Sequence, residues 1–380
     1  MSKSNETTPN VPTLRFKQFQ DNWSSKRLSD IAEVVGGGTP DTTDSTLWNG
    51  GIQWFTPTEV GHSKYVSMSA RTISQLGLQK SSAKILPAGS ILLSSRATVG
   101  ECSITQKDCT TNQGFQNLIP KKGINNEFLY YLAQTQKRHF IKYASGSTFL
   151  EISNSEIKKT KCAVPSIEEQ TEIATFLSAI DKKIEVQNKI ISKYETLIKG
   201  ICDILFTGTE ENVLPLKAIA SIDKGQQING LSLAKTGKYY YLNGGITPSG
   251  YIDDYNTSEN TIAISEGGNS CGFVSYNAQK FWSGGHCYTL KIKNTQCRSK
   301  FLFFYLKYRE KDIMQLRVGS GLPNIQKRSL ENFVVPLPTF EKQCYIECIL
   351  ESITAKKEIE TALLGQFQSQ KKFLLSKMFI

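Results

Sequence analysis

Residues 128–206 of this chain recur at 301–379, at a constant offset of 173 and without a gap. Phe128 falls on Phe301, Gly146-Ser147 on Gly319-Ser320, Ile152 on Ile325, Pro165 on Pro338, Gln170 on Gln343, Ile173 on Ile346 and Phe206 on Phe379. A repeat this long dictates two copies of one structural unit, since each copy carries the same packing and capping instructions. The beginnings of the halves correspond as well: Leu28, Ile31 and Ala32 match Leu216, Ile219 and Ala220 at an offset of 188. The two offsets differ by 15, so the second half has lost about that many residues in its middle. The ends repeat while the middles diverge.

The repeated carboxyl ends read as long helices. Ile173, Leu177, Ile180, Ile184, Gln187, Ile191, Tyr194, Ile198, Ile201 and Leu205 follow one another at alternating steps of four and three, the seam of a coiled coil. Gln187 within that seam either fixes register at some cost in stability or sits in a loose, solvated stretch. The second copy keeps Ile346, Leu350 and Ile353 but places Lys357, Glu360 and Lys371 on the seam, so Ile359, Leu363, Leu364, Phe367 and Leu374 are expected to share the packing. Pro165 and Pro338 end the strands before the helices, and Ser166 and Thr339 cap their starts. At 1.5 Å per residue, about 40 residues make a rod of roughly 60 Å. Two such helices of equal length most simply pack antiparallel, with a mixed region at each end of the rod.

The expected fold class is therefore α+β: two mixed α/β domains joined by two long antiparallel helices, with a pseudo-two-fold internal repeat. The domain expectation is an amino-terminal arm at 1–20, a first domain at 21–165, a first helix at 166–208, a second domain at 209–338 and a second helix at 339–380. Within the mixed regions the runs GIQWFTP, GSILLSS, TIAISE and GHCYTLKIK read as strands, and Glu127–Lys142 and Lys300–Gln315 as one helix each. The aromatic residues Phe128, Tyr131, Phe301, Phe303, Phe304 and Tyr305 have helical spacing and are assigned to packing rather than to base stacking.

Charge points to a polyanion. The 45 Lys and Arg exceed the 34 Asp and Glu by 11. Residues 166–206 carry a net −2 and residues 339–380 a net +1, which leaves +12 on the mixed regions and the arm. The globular parts, not the rod, are expected to meet nucleic acid. Nine scattered cysteines without a C-x-x-C pair fit reduced thiols, and Cys344 and Cys348, one turn apart, are assigned to core packing rather than metal. No apolar run of membrane-spanning length and no apolar signal core in residues 1–10 occurs, so a cytoplasmic protein is expected.

Catalytic signatures are missing where chemistry needs them. Gly237-Lys238-Tyr239 lacks the spacing and hydroxyl of a P-loop, and Gly36-Gly37-Gly38 runs into Thr39-Pro40 rather than into a dinucleotide-binding helix. The Asn/Asp-Pro-Pro-aromatic element that holds adenine in amino-methyltransferases is absent, and His62, His139 and His286 have no recognisable acid or base partner.

The motifs, taken in order, resemble a known family. Val34 to Pro40, Trp48 to Trp54, Ser94 to Gly100, Thr111 to Phe115, Gly146-Ser147-Thr148 and Pro165 through Glu168-Glu169-Gln170 are similar to the specificity subunit of type I restriction-modification systems. The second half repeats them in degenerate form: Glu266-Gly267-Gly268, Gly272-Phe273-Val274, Trp282, His286-Cys287-Tyr288, Gly319-Ser320 and Pro338 through Gln343. The resemblance implies two target-recognition domains, each reading one half of a bipartite, asymmetric double-stranded DNA site, on a helical spacer. It also implies two modification subunits that use S-adenosylmethionine to methylate adenine N6, and restriction subunits that use ATP and Mg to translocate and cut. This chain would itself be non-catalytic and hold no cofactor.

Loop residues able to pair with base edges or neutralise phosphates are the DNA-binding candidates: Thr39, Lys64, Arg96, Asn112 and Gln113 in the first domain, and Gln226, Gln227, Lys238, Asn269, Tyr276 and Lys280 in the second. Asn112-Gln113-Gly114 has an alternative reading as a turn, and Arg96 as its brace. Two further classes stay open from the residues alone. A self-sufficient DNA methyltransferase would bind S-adenosylmethionine unaided, and a non-DNA interaction scaffold would show no salt-sensitive affinity for duplex DNA.

Overall fold

A computed structural model describes residues 11–146, 150–207, 212–230, 233–319, 321 and 323–380. Residues 1–10 of the expected arm, Ser147 and Thr148 of the glycine-serine motif and its repeat Ser320 lie outside the described residues. Among the described residues no helix is long and apolar enough to cross a membrane. The chain divides into two units, Met1–Asn188 with Leu363–Ile380, and Lys189–Ala362.

In the first unit the strands run Ala32–Gly36, Gln116–Pro120, Ile91–Leu93, Cys102–Thr105 and Tyr65–Val66 across a five-stranded sheet. In the second, Ala220–Lys224, Cys287–Ile292, Thr261–Ser265 and Val274–Asn277 repeat the first four in the same order. The registers agree to the residue: Gly36 opposite Gln116 corresponds to Lys224 opposite Tyr288, and Ile91 opposite Leu118 to Ile262 opposite Leu290. A smaller sheet repeats too. Trp48–Phe55 lies antiparallel to Arg71–Ile73 and parallel to Cys109–Thr111, as Tyr239–Leu242 lies antiparallel to Gly250–Ile252 and parallel to Trp282–Ser283.

The divergent middles therefore share one fold. Strand pairing is carried by backbone groups, so side chains drift while order and register persist. The missing residues fall in two connections, 56–70 against 243–249 and 74–90 against 253–261, each shorter by eight in the second unit.

Among the polar side chains that repeat are two glutamines on which the backbone depends. Gln170 accepts from the Asn125 N–H at 3.0 Å and donates to the carbonyls of Pro165 and Gly123 at 3.0 and 3.3 Å. Gln343 makes the same three bonds, to Arg298, Pro338 and Gln296, at 2.9, 2.9 and 2.8 Å. Each glutamine thus ties a helix start to its own domain from a fully buried position.

The long helices are Ile167–Phe206 and Phe340–Met378. Within the first unit Asp181 pairs with Lys371 at 2.6 Å, and Lys183 lies 5.8 Å from the ring of Phe367, so the two segments run antiparallel there. The expected seam is the inward face: Ile173, Leu177, Ile180 and Gln187 are buried, while Ile184, Ile191, Tyr194, Ile198, Ile201 and Leu205 are half-buried. Gln187 takes the buried alternative. Ile346 and Leu350 are buried and Ile353 half-buried in the second copy. Ile359, expected to share the packing, instead faces solvent at 66% exposure. Lys357, on the seam itself, is half-buried and pairs with Glu195 at 3.2 Å.

Two further expectations are corrected. The single helices expected at 127–142 and 300–315 are each broken, at Gln136 and Arg309, whose ψ values of −3° and 16° leave the α-helical ladder. Cys348 is exposed and Cys344 half-buried, because their turn of helix lies beside the buried stripe of Ile346 and Leu350 rather than on it. The cysteines packed in the domains behave as small hydrophobes, and burial pushes the Cys109 and Cys102 thiols up to about 11 and about 12.

Candidate nucleic-acid interface

In the first unit three loops converge. The strand Ala32–Gly36 runs out through Gly37, where a Cβ would overlap the carbonyl oxygens of Thr111 and Asn112, so only glycine permits the approach. The loop is pinned by the Gly38 N–H on the Thr111 carbonyl at 2.8 Å and by the Trp54 indole N–H on the Gly38 carbonyl at 2.9 Å. That brings Thr39 against Gln113, and the Thr39 hydroxyl donates to Gln113 Oε1. Asn112 Oδ1 accepts from the Gly114 N–H at 2.9 Å, the turn-building role. Arg96 comes from the third loop, where Ser95 N–H donates to the Gly114 carbonyl at 2.8 Å. The guanidinium of Arg96 stands 3.9 Å from Glu151 and remains two-fifths exposed. Thr39, Arg96, Asn112 and Gln113 thus share one surface.

Lys64 is elsewhere. Its ammonium donates to Glu127 Oε2 at 2.9 Å, Ser178 Oγ at 2.6 Å and the Tyr131 hydroxyl at 3.2 Å, and its side chain is 10% exposed. Burial works against ionisation of Glu127, but hydrogen bonds from Ser178, Tyr65 and Lys64 outweigh it and hold the carboxyl below the usual carboxylate range. In this arrangement Lys64 ties the domain to the helix Ile167–Phe206. Arg71 was not singled out, yet its guanidinium lies 3.6 Å above the ring of Trp48, an exposed cation on an aromatic base.

The second unit repeats the close glycine approach and the clamped loop with different residues. A Cβ on Gly225 would overlap the carbonyls of Ser283 and Gly284. The Gln226 N–H donates to the Ser283 carbonyl at 2.8 Å, and the Trp282 indole N–H donates to the Gln226 carbonyl at 2.8 Å. Gln226 and Gln227 are exposed. Lys238 and Lys280 meet around an aromatic pair: Tyr239 and Tyr255 have ring centroids 5.0 Å apart, Lys238 lies 5.2 Å from the Tyr239 ring and Lys280 4.6 Å from the Tyr255 ring. The two tyrosines were missed, although aromatic residues interleaved with lysine were a legible signal in Lys238-Tyr239.

Tyr276 and Asn269 stand apart from that cluster. Tyr276 packs on Phe303 at 5.4 Å and donates to Asn260 Oδ1 at 3.3 Å, and burial raises its pKa. Asn269 is exposed on a loop held by the Gly268 N–H on the Pro323 carbonyl at 3.0 Å. Beneath that loop Glu266 accepts from Lys224 at 2.6 Å and from the Tyr288 hydroxyl at 3.1 Å. Burial and then the Glu266 charge push Tyr288 up to about 12. Among the described residues no group of three or more His, Cys, Asp or Glu side chains is placed to hold a metal ion. Both surfaces offer side-chain amides, hydroxyls and cations on loops anchored to a rigid sheet.

Comparison with known proteins bears on what such surfaces meet. The family profile described as the type I restriction modification DNA specificity domain matches residues 20–196 and again 210–367. The type I restriction enzyme MjaIX specificity subunit of Methanocaldococcus jannaschii is 31% identical over 395 residues, covering 90% of this chain and 91% of that one. The EcoR124I/EcoR124II specificity subunit of Escherichia coli is 27% identical over about half of each chain, 49% and 50%. Among solved structures, the S subunit of a type I restriction-modification system from M. genitalium superposes with a TM-score of 0.67 at 19% identity, covering 97% of this chain and 99% of that one.

Proposed function

The chain belongs to the family of type I restriction-modification specificity subunits, and from that premise we propose that each unit reads one half of a bipartite double-stranded DNA target. The carrying observation is that equivalent loops of one scaffold carry different polar side chains in the two units, Thr39 and Gln113 in the first and Gln226 and Gln227 in the second, with Arg96 beside the first and the Lys238–Lys280 cluster on the second. One scaffold with two sets of polar groups is what two unlike half-sites require. The net +12 outside the long helices supplies the phosphate attraction.

In this reading the chain is a non-catalytic cytoplasmic subunit without a cofactor of its own. Two modification subunits, carrying S-adenosylmethionine, dock along the long helices and methylate adenine; restriction subunits supply ATP- and Mg-dependent translocation and cutting. The helices set the number of unread base pairs between the half-sites. Arg96, Lys238 and Lys280 meet phosphates, whereas Lys64, engaged by Glu127, braces its domain.

Methylation-sensitive sequencing of DNA modified by the assembled complex tests the reading. A bipartite motif is expected, and replacing residues 28–165 by those of a relative changes one half only. Neutralising Arg96, Lys238 or Lys280 flattens the salt dependence of binding by roughly one unit each, and neutralising Lys64 does not. An unchanged slope for all three would remove the assignment.

A further inference from the structure

We infer that Gln113 and Gln227 occupy the same base-reading position in the two domains, with the amide supplied from opposite loops. The inference rests on the DNA-reading assignment above and names the residues that carry it.

Register establishes the equivalence. Gly36 opposite Gln116 and Lys224 opposite Tyr288 place Thr39 on Gln227 at an offset of 188, and Gln113 on Gly285 at an offset of 172. The backbone contacts agree: the Gly38 N–H on the Thr111 carbonyl and the Gln226 N–H on the Ser283 carbonyl are the same bond, both at 2.8 Å. The Asn112 N–H on the Phe55 carbonyl at 3.0 Å likewise answers the Gly284 N–H on the Leu242 carbonyl at 2.8 Å.

One facing pair then differs in a complementary way. In the first domain a short Thr39 faces a long Gln113 and orients it through its hydroxyl. In the second a long Gln227 faces Gly285, and a Cβ on Gly285 would stand only 3.1 Å from Gln227 Oε1 and 3.2 Å from its Cβ. The space a side chain at 285 would need is taken by the Gln227 amide, which has come from the other side. Both amides are exposed; the indole-clamped carbonyl lies on the Gln227 loop in the second domain and on the facing Thr39 loop in the first. A glutamine amide pairs bidentately with the N6 and N7 of adenine in the major groove. Each domain thus presents one adenine-type reader at its loop tip.

The test uses the full chain assembled with its modification subunits and a randomised duplex library, with base preference read at each position. Wild-type protein enriches a bipartite motif; enrichment of no motif would overturn the DNA-reading assignment itself. Gln113→Ala loses discrimination at one base pair of one half, and Gln227→Ala at one base pair of the other, each by roughly 5- to 150-fold. Gln227→Thr alone behaves like Gln227→Ala, and Gln227→Thr with Gly285→Gln, which rebuilds the first domain's pair, regains the discrimination. The inference is overturned if the wild type selects a motif that both alanine variants retain, if both alter the same half, or if either weakens all sequences alike with preferences unchanged.

Discussion

The indole N–H of Trp282 holds the carbonyl of Gln226 at 2.8 Å, and Trp54 does the same for Gly38 at 2.9 Å, although the two tryptophans stand on different strands of the repeated sheet. Gly38 and Gln226 are equivalent, but Trp54 aligns with Tyr241 and Trp282 with Thr110. The loop needs a donor at that carbonyl, and either neighbouring strand supplies it.

Replacing these indoles separates loop positioning from stability. Trp54 is buried against Trp48, so Trp54→Phe leaves a buried carbonyl unpaired and a small cavity, at a cost of about 2 kcal/mol. Trp282 is half-buried, and Trp282→Phe costs less than about 1 kcal/mol. Both variants are expected to weaken sequence discrimination in their own half-site. Urea denaturation gives the first comparison and library selection the second.

Gln343 supports the second helix start more tightly than Gln170 does the first, since its two donated bonds are shorter. Gln343→Ala strands three backbone groups and is expected to cost about 2–3 kcal/mol. Urea denaturation measures the loss, and exchange of the Arg298 amide should accelerate.

Glu127 predicts an acid dependence. Its folded pKa lies below the unfolded one, so its contribution is complete at neutral pH and fades as pH falls from the ordinary carboxylate value, near 4.3, through the lower folded value. Glu127→Gln should therefore lower the thermal midpoint at pH 7, with the gap from wild type closing toward pH 3. A gap that widens on acidification would contradict the assignment.

The two seam lysines should differ in worth. Lys371 pairs with an Asp181 that also accepts from Tyr131 at 2.6 Å, with both ionic side chains under 20% exposed. Lys371→Met is expected to cost about 1–2 kcal/mol by leaving that carboxylate short of a partner. Lys357 and Glu195 are more exposed, at 33% and 58%, and Lys357→Met should change stability by less than about 1 kcal/mol. Equal losses in thermal unfolding would overturn the ranking.

Wherever structure is written in a local period or in self-similarity, the sequence alone determined it: the two copies, the helical seam from Ile173 to Leu205, the strands around Trp54 and Tyr288, and the glutamines at both helix starts. Tertiary structure alone decided which loop residues meet. Lys64 and Glu127 are 63 positions apart, Thr39 and Gln113 are 74, and Arg15 reaches Glu169 at 2.7 Å across 154. Such partners have no common period, because their proximity is fixed by strand register for Thr39 and Gln113 and by the packing of helices on the domain for the other two pairs. Register is held by backbone hydrogen bonds that leave the side chains free to change, so the middles of the halves lost their sequence likeness, and a tryptophan could change strands, without loss of the fold.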